Sequence, residues 1–90
     1  MELRHLRYFV AVAEAENVTR AAAKLRVAQP AVSRQIRDLE DELGLALFER
    51  SAKSVRLTDA GRVFLEEARA VLQRTDEAVK AVRAVVEDSR

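Results

Sequence analysis

Apolar residues recur along this chain at spacings of three and four with polar residues between them, a rhythm that divides most of it into helices. Leu3, Leu6, Val10 and Ala13 form a first stripe, from Glu2 to about Ala15, and Phe9 and Val12 widen it enough to touch two neighbours. Asn17 and Thr19 interrupt the stripe. Thr19 is the expected N-cap of a short second helix that runs to about Leu25, with Val18 set to staple against Ala23. Only Arg26, Val27 and Ala28 then precede Pro30, whose fixed φ and missing N–H suit the first turn of a new helix. A third helix is therefore expected from Gln29 or Pro30, with Val32, Ile36, Leu39 and Leu43 buried and Gly44 as its stop.

Past Gly44 the pattern changes. Residues 47–50 and 55–57 read as short strands around Ser51, Ala52, Lys53 and Ser54, a small β-hairpin or wing. Its turn lacks Gly and Asn, which leaves the turn type open. Thr58 caps a last helix with Asp59 in its favourable first turn, and nothing stops that helix before about Asp88. At 1.5 Å per residue it is about 45 Å long, more than a small domain is wide. Gly61 in its first turn is unfavourable for helix by about 1 kcal/mol relative to Ala, for which a close backbone approach is the expected compensation and a frayed start the alternative. Along the same helix Leu65, Leu72, Val79 and Val86 repeat at heptad spacing, with Ala68, Thr75 and Val82 between them and Phe64, Val71, Ala78 and Val85 alongside. Such a seam has to be buried. Packing on the first helix accounts for its early turns but not for those beyond Thr75, so a second copy is the simplest partner. The predicted dimer interface is Phe64, Leu65, Ala68, Val71, Leu72, Thr75, Val79, Val82 and Val86.

These elements predict a mainly α fold: a winged helix-turn-helix of three helices and a short β-hairpin over residues 1–57, then a long linker helix over residues 58–90. Composition narrows the chemistry. The 90 residues suit a single small domain. Cysteine is absent and His5 is the single histidine, so disulfides, thiolate sites and a metal cluster are not expected, and no nucleophile–base pair suggests an enzyme. No cofactor is expected in this chain. The longest apolar run, Tyr8 to Ala13, falls far short of the roughly 20 residues that span a bilayer. No cleavable-signal pattern opens the chain, and a cytoplasmic location away from membranes is expected.

Net charge is only +1, so the distribution of charge carries more information than its sum. Arg20, Lys24, Arg26, Arg34 and Arg37 follow one another without an acid, and then Asp38, Glu40, Asp41 and Glu42 crowd together. A 100° wheel with the apolar stripe of the third helix inward places Pro30, Arg34, Arg37, Asp38 and Asp41 outward, with Ser33 on the flank. Phosphates repel the acidic half, so the N-terminal half is the part able to enter a DNA groove, led by the positive end of the helix dipole. Arg34 suits a guanine edge and Gln29 an adenine edge, each worth roughly 1–3 kcal/mol of discrimination when aligned. Ser33 is short enough to meet a base or a phosphate. Arg50, Lys53 and Arg56 on the wing suit a flanking minor groove or phosphate strand, or simply keep the hairpin soluble. The alternative to DNA reading is a winged-helix dimerisation or protein-docking module with weak DNA contact, for which the near-neutral total charge and the long seam both speak.

The segments ELRHLRYFVAVAE, TRAAAKL, VAQPAVSRQIRDLEDELGLALFER and VRLTDAG, in this order and spacing, resemble the N-terminal DNA-binding domain and linker helix of LysR-type transcriptional regulators. The resemblance implies a homodimer joined through its linker helices, reading an interrupted palindrome in double-stranded DNA, with a tetramer open to the full-length protein. By position it implies DNA contacts at Gln29, Pro30, Ser33 and Arg34, with Arg50 and Lys53 at the wing and Thr19 and Arg20 on the backbone. Arg37 joins them from the helical wheel. Ala28 stands where many members carry Ser, Ala31 where a second proline is frequent, and Lys53 where Arg is frequent, which weakens any bidentate contact at the wing. The resemblance also implies a larger C-terminal domain that binds a small-molecule inducer, so these residues are expected to be the DNA-binding portion of a longer protein. The N-terminal domain of molybdate-responsive regulators is similar and remains a related alternative.

Overall fold

The computed structural model describes residues 1–51 and 54–89. In chain order it contains α1 (Leu3–Ala15), α2 (Val18–Leu25), α3 (Gln29–Leu43), β1 (Phe48–Arg50), β2 (Val55–Leu57) and α4 (Asp59–Asp88). The strands pair antiparallel, with Phe48 opposite Leu57 and Arg50 opposite Val55. The winged helix-turn-helix and its long final helix are therefore present as expected.

Local chemistry sets the joints. α1 ends where Glu16 enters the left-handed region at φ 54°. Asn17, not Thr19, caps α2: its Oδ1 accepts the Arg20 N–H at 2.8 Å, and Val18 is already helical. Asn is among the strongest N-caps and lies two residues earlier, so it wins the competition, and the expected Val18–Ala23 staple is lost with it. Thr19, displaced into the first turn, is exposed. At the far end of α2, Arg26 adopts φ 60° and its N–H reaches the Ala22 and Ala23 carbonyls, turning the chain sharply into α3. Pro30 lies in the first turn of α3, and Gly44 at φ 71° closes that helix.

The core gathers one face from each element. Phe9, Val12, Val32, Ile36, Leu39 and Leu47 are fully buried. Phe9 stands at the centre, its ring 5.3 Å from Phe48 of the wing and 5.2 Å from Phe64 of α4. Leu47 belongs to this core rather than to β1. Its N–H donates to Glu40 and its carbonyl accepts from Thr58, so its backbone groups are taken before the strand ladder begins.

Thr58 caps α4 through its Oγ1, which accepts from the Gly61 N–H at 3.0 Å and donates to the Ala46 carbonyl at 2.8 Å. Gly61 is buried, and a Cβ there would strike the Leu47 carbonyl oxygen, so the predicted close approach is real. From Gly61 to Leu72 the inner face of α4 lies on α1 and the core. The predicted seam is thus divided. Ala68 is 1% exposed and is covered by its own chain, so its assignment to a dimer interface is corrected. Phe64, Leu65 and Leu72 are half-buried against the same core. Beyond Thr75 the stripe continues uncovered: Val79 is 44% and Val82 67% exposed. The molecule is accordingly elongated, 55 × 26 × 19 Å.

Candidate nucleic-acid interface

α3 presents chemically distinct faces. Val32, Ile36 and Leu39 point into the core, while Gln29, Pro30, Arg34, Arg37, Asp38 and Asp41 are exposed. Ser33 is half-buried between the two, and Gln29 Nε2 donates to its Oγ at 3.4 Å. A shallow groove runs along the outer face, lined by Gln29, Pro30, Ser33, Arg34, Arg37, Asp38 and Asp41. Its N-terminal end carries the cations and its C-terminal end the acids, matching the change of sign along the chain.

A second cleft opens between the start of α2, the flank of α3 and the base of the wing. It is lined by Asn17, Val18, Thr19, Gln29, Ser33, Arg37, Arg50, Ser51, Ser54 and Val55. The two hollows share Gln29, Ser33 and Arg37, so together they form one continuous surface. Of the predicted DNA-binding residues, Thr19, Gln29, Pro30, Ser33, Arg34, Arg37 and Arg50 come together on it. Arg20 is exposed beside it, with its backbone N–H held by the Asn17 cap. Lys53 lies outside the described residues. Arg56 lines a different hollow with Glu16, Glu49, Asp59 and Arg62, away from the α3 groove.

The electrostatics favour an anion on this surface. Among the described residues, no carboxylate lies within ion-pair distance of Arg20, Lys24, Arg26, Arg34 or Arg37. Arg50 is different: its Nη2 is 3.0 Å from Glu40 Oε1. Glu40, which the sequence groups with the acids kept away from DNA, has a side chain only 15% exposed. Its Oε2 accepts the Leu47 N–H at 2.7 Å and the Phe48 N–H at 3.3 Å. One signal points to it in the sequence, since a charged residue four positions after buried Ile36 must lie at the margin of the apolar stripe. The wing base is fixed from the other side as well, where the Val55 N–H donates to the Glu16 carbonyl at 3.2 Å. Ser51 and Ser54 close the described part of the turn, the Ser51 N–H reaching the Ser54 carbonyl at 3.0 Å. No described helix is long and apolar enough to cross a membrane.

Comparison with known proteins agrees with this geometry. The family model described as bacterial regulatory helix-turn-helix protein, lysR family, matches residues 3–62. The Hca operon transcriptional activator HcaR of Escherichia coli (strain K12) is 52% identical over 90 residues, covering 100% of this chain and 30% of that protein. The regulator BenM of Acinetobacter baylyi is 48% identical over 85 residues, 94% of this chain and 28% of its own length. The chain thus spans less than a third of these relatives. Among solved structures, the CbnR_DBD–DNA complex superposes with a TM-score of 0.93 at 46% identity, covering 96% of this chain and 99% of that one. The BenM_DBD/catB site 1 DNA complex gives 0.92 at 48% identity, covering 96% and 97%. With a family model that takes in the helix-turn-helix, the wing and the start of α4, this chain belongs to the lysR family of bacterial regulatory helix-turn-helix proteins.

Proposed function

We propose that this domain binds double-stranded DNA sequence-specifically, as the DNA-reading portion of a LysR-type transcriptional regulator. The observation that carries the reading is the single surface on which Gln29, Ser33, Arg34 and Arg37 meet Thr19 and Arg50 across the cleft at the wing. The N-terminal half of α3 enters the major groove, where Arg34 and Gln29 face base edges. Thr19, Arg20, Arg50 and Lys53 serve phosphates or the flanking minor groove, contacts that set register more than sequence. Two such domains, held through the bare half of α4, read an interrupted palindrome. The relatives solved with DNA, CbnR and BenM, support this assignment. The domain acts without catalysis or cofactor and works in the cytoplasm, and a small-molecule inducer is assigned to a separate part of a longer protein.

The test begins with selection of duplexes from a random-sequence pool by the unaltered chain. Arg34→Ala should lose roughly 1–3 kcal/mol of discrimination between the selected duplex and a scrambled one, while salt-dependent binding to both persists. Equal losses on both duplexes would make Arg34 a phosphate contact. No binding even at low salt would end the DNA reading and leave protein docking in its place.

A further inference from the structure

Glu40 is placed unlike the acids around it. Asp38, Asp41 and Glu42 are exposed, whereas Glu40 lies on the flank of α3 that faces the wing. Its two oxygens hold different groups. Oε2 accepts from the Leu47 and Phe48 amides where the chain enters β1, and Oε1 accepts from the Arg50 guanidinium where β1 ends. One carboxylate therefore spans the length of the first wing strand. Hydrogen bonds to an ionised acceptor are shorter and stronger than neutral ones, so this is a firm attachment for a strand of 3 residues.

Arg50 is only partly used by that contact. Its side chain remains 38% exposed and it lines the cleft with Thr19, Ser33 and Arg37. A guanidinium carries five N–H donors in a rigid fork, so a contact at one edge leaves the other free and fixes where it points. We propose that Glu40 is a positioning residue for DNA binding: it sets Arg50 against the recognition helix, so that the wing cation and Arg34 meet the duplex at a fixed separation. This rests on the DNA-binding reading above. It differs from two other consequences of the same ion pair. A clamp that only stabilised the fold would leave the bound contacts unchanged, and one that mainly neutralised Arg50 would weaken DNA binding, so that its removal would tighten it.

Glu40→Gln tests the idea because it keeps the size and one acceptor oxygen but removes the charge that holds the guanidinium. The probe is a labelled duplex selected by the unaltered chain, followed by titration over a range of salt and by hydroxyl-radical footprinting. Binding should fall about five- to tenfold, and the salt slope should drop by about one, the loss of one phosphate contact. Protection should shrink on the wing side while the centre stays protected. Arg50→Gln should give the same footprint, and the double variant should bind no more weakly than Arg50→Gln alone, since the two residues act in series. Unchanged or tighter binding by Glu40→Gln, or additive losses in the double variant, would overturn the proposal. Arg50→Gln leaves the amide contacts of Glu40 in place. Should Glu40→Gln fail to fold, an unaltered footprint and slope for Arg50→Gln would overturn it independently. Failure of the DNA reading itself is distinct, because the unaltered chain would then select no duplex at all.

Discussion

Gly61 and Arg26 each hold a position that helix statistics would give to another residue type, and each has a separate cause. Replacing a mid-helix glycine by alanine ordinarily stabilises by about 1 kcal/mol. At Gly61 the added methyl would run into the Leu47 carbonyl oxygen, a backbone atom already fixed by the Thr58 N–H. Gly61→Ala should therefore destabilise the domain, by about 1–3 kcal/mol as other overpacked sites do, seen as a lower urea midpoint at unchanged slope. A higher midpoint would mean that α4 shifts freely on the wing base. Arg26 presents the converse case, since a side chain at φ 60° carries a steric penalty that glycine escapes. Arg26→Gly should raise stability by about 0.5–1 kcal/mol in the same unfolding measurement, because the turn between α2 and α3 keeps its carbonyl contacts. A loss of stability would show that the Arg26 side chain contributes more than its backbone strain removes.

At the scale of elements, what is legible in the sequence follows from how far apart the interacting residues lie. The buried stripe of α3, the proline start and the glycine stop are all local, and Val32, Ile36, Leu39 and Gly44 occupy their expected places. The Thr58 cap and the close approach at Gly61 are likewise readable, since a glycine in a helical turn needs a reason. Asn17 and Thr19 can both cap α2, and the stronger cap two residues earlier takes the position, with Asn17 extended and Val18 already helical. Glu40 is readable as a margin residue of α3 from its spacing to Ile36, but its contacts are not. Its partners Leu47, Phe48 and Arg50 lie 7 to 10 residues away across a turn, beyond the reach of a helical wheel. The candidate DNA surface shows the same division: the exposure of Arg34 and Arg37 follows from periodicity, while the cleft joining them to Thr19 and Arg50 exists only once the wing folds back. Heptad spacing likewise extends the α4 seam too far towards a partner, because Ala68 is as suited to α1 as to a second chain.

For the whole molecule the decisive feature is the single face of α4 that changes surroundings along its length. Up to Leu72 it is covered by its own domain, and from Val79 to Val86 the same stripe is bare, with Val82 67% and Val86 54% exposed. Beyond Thr75 the helix runs exposed to Asp88, about 20 Å at 1.5 Å per residue. Isolated helices of about 12–15 residues are marginal in water, so an exposed apolar stripe of that length is stabilised by burial against another surface. A second copy offers an identical stripe and closes the assembly by symmetry. The informative substitution is therefore Val79→Asp with Val82→Asp, because Leu72 also packs on its own core and its loss would mix folding with association. The double variant should sediment as a monomer where the unaltered chain should sediment as a dimer, and its melting temperature should no longer rise with protein concentration. Its affinity for a duplex carrying one half-site should stay the same. Its affinity for the paired site should fall by at least about 100-fold, the advantage that linked binding gives over a single contact. A variant that remained dimeric would move the interface elsewhere. A monomer with full affinity for the paired site would mean that each domain reads DNA alone, and that the spacing of half-sites is set by something other than α4.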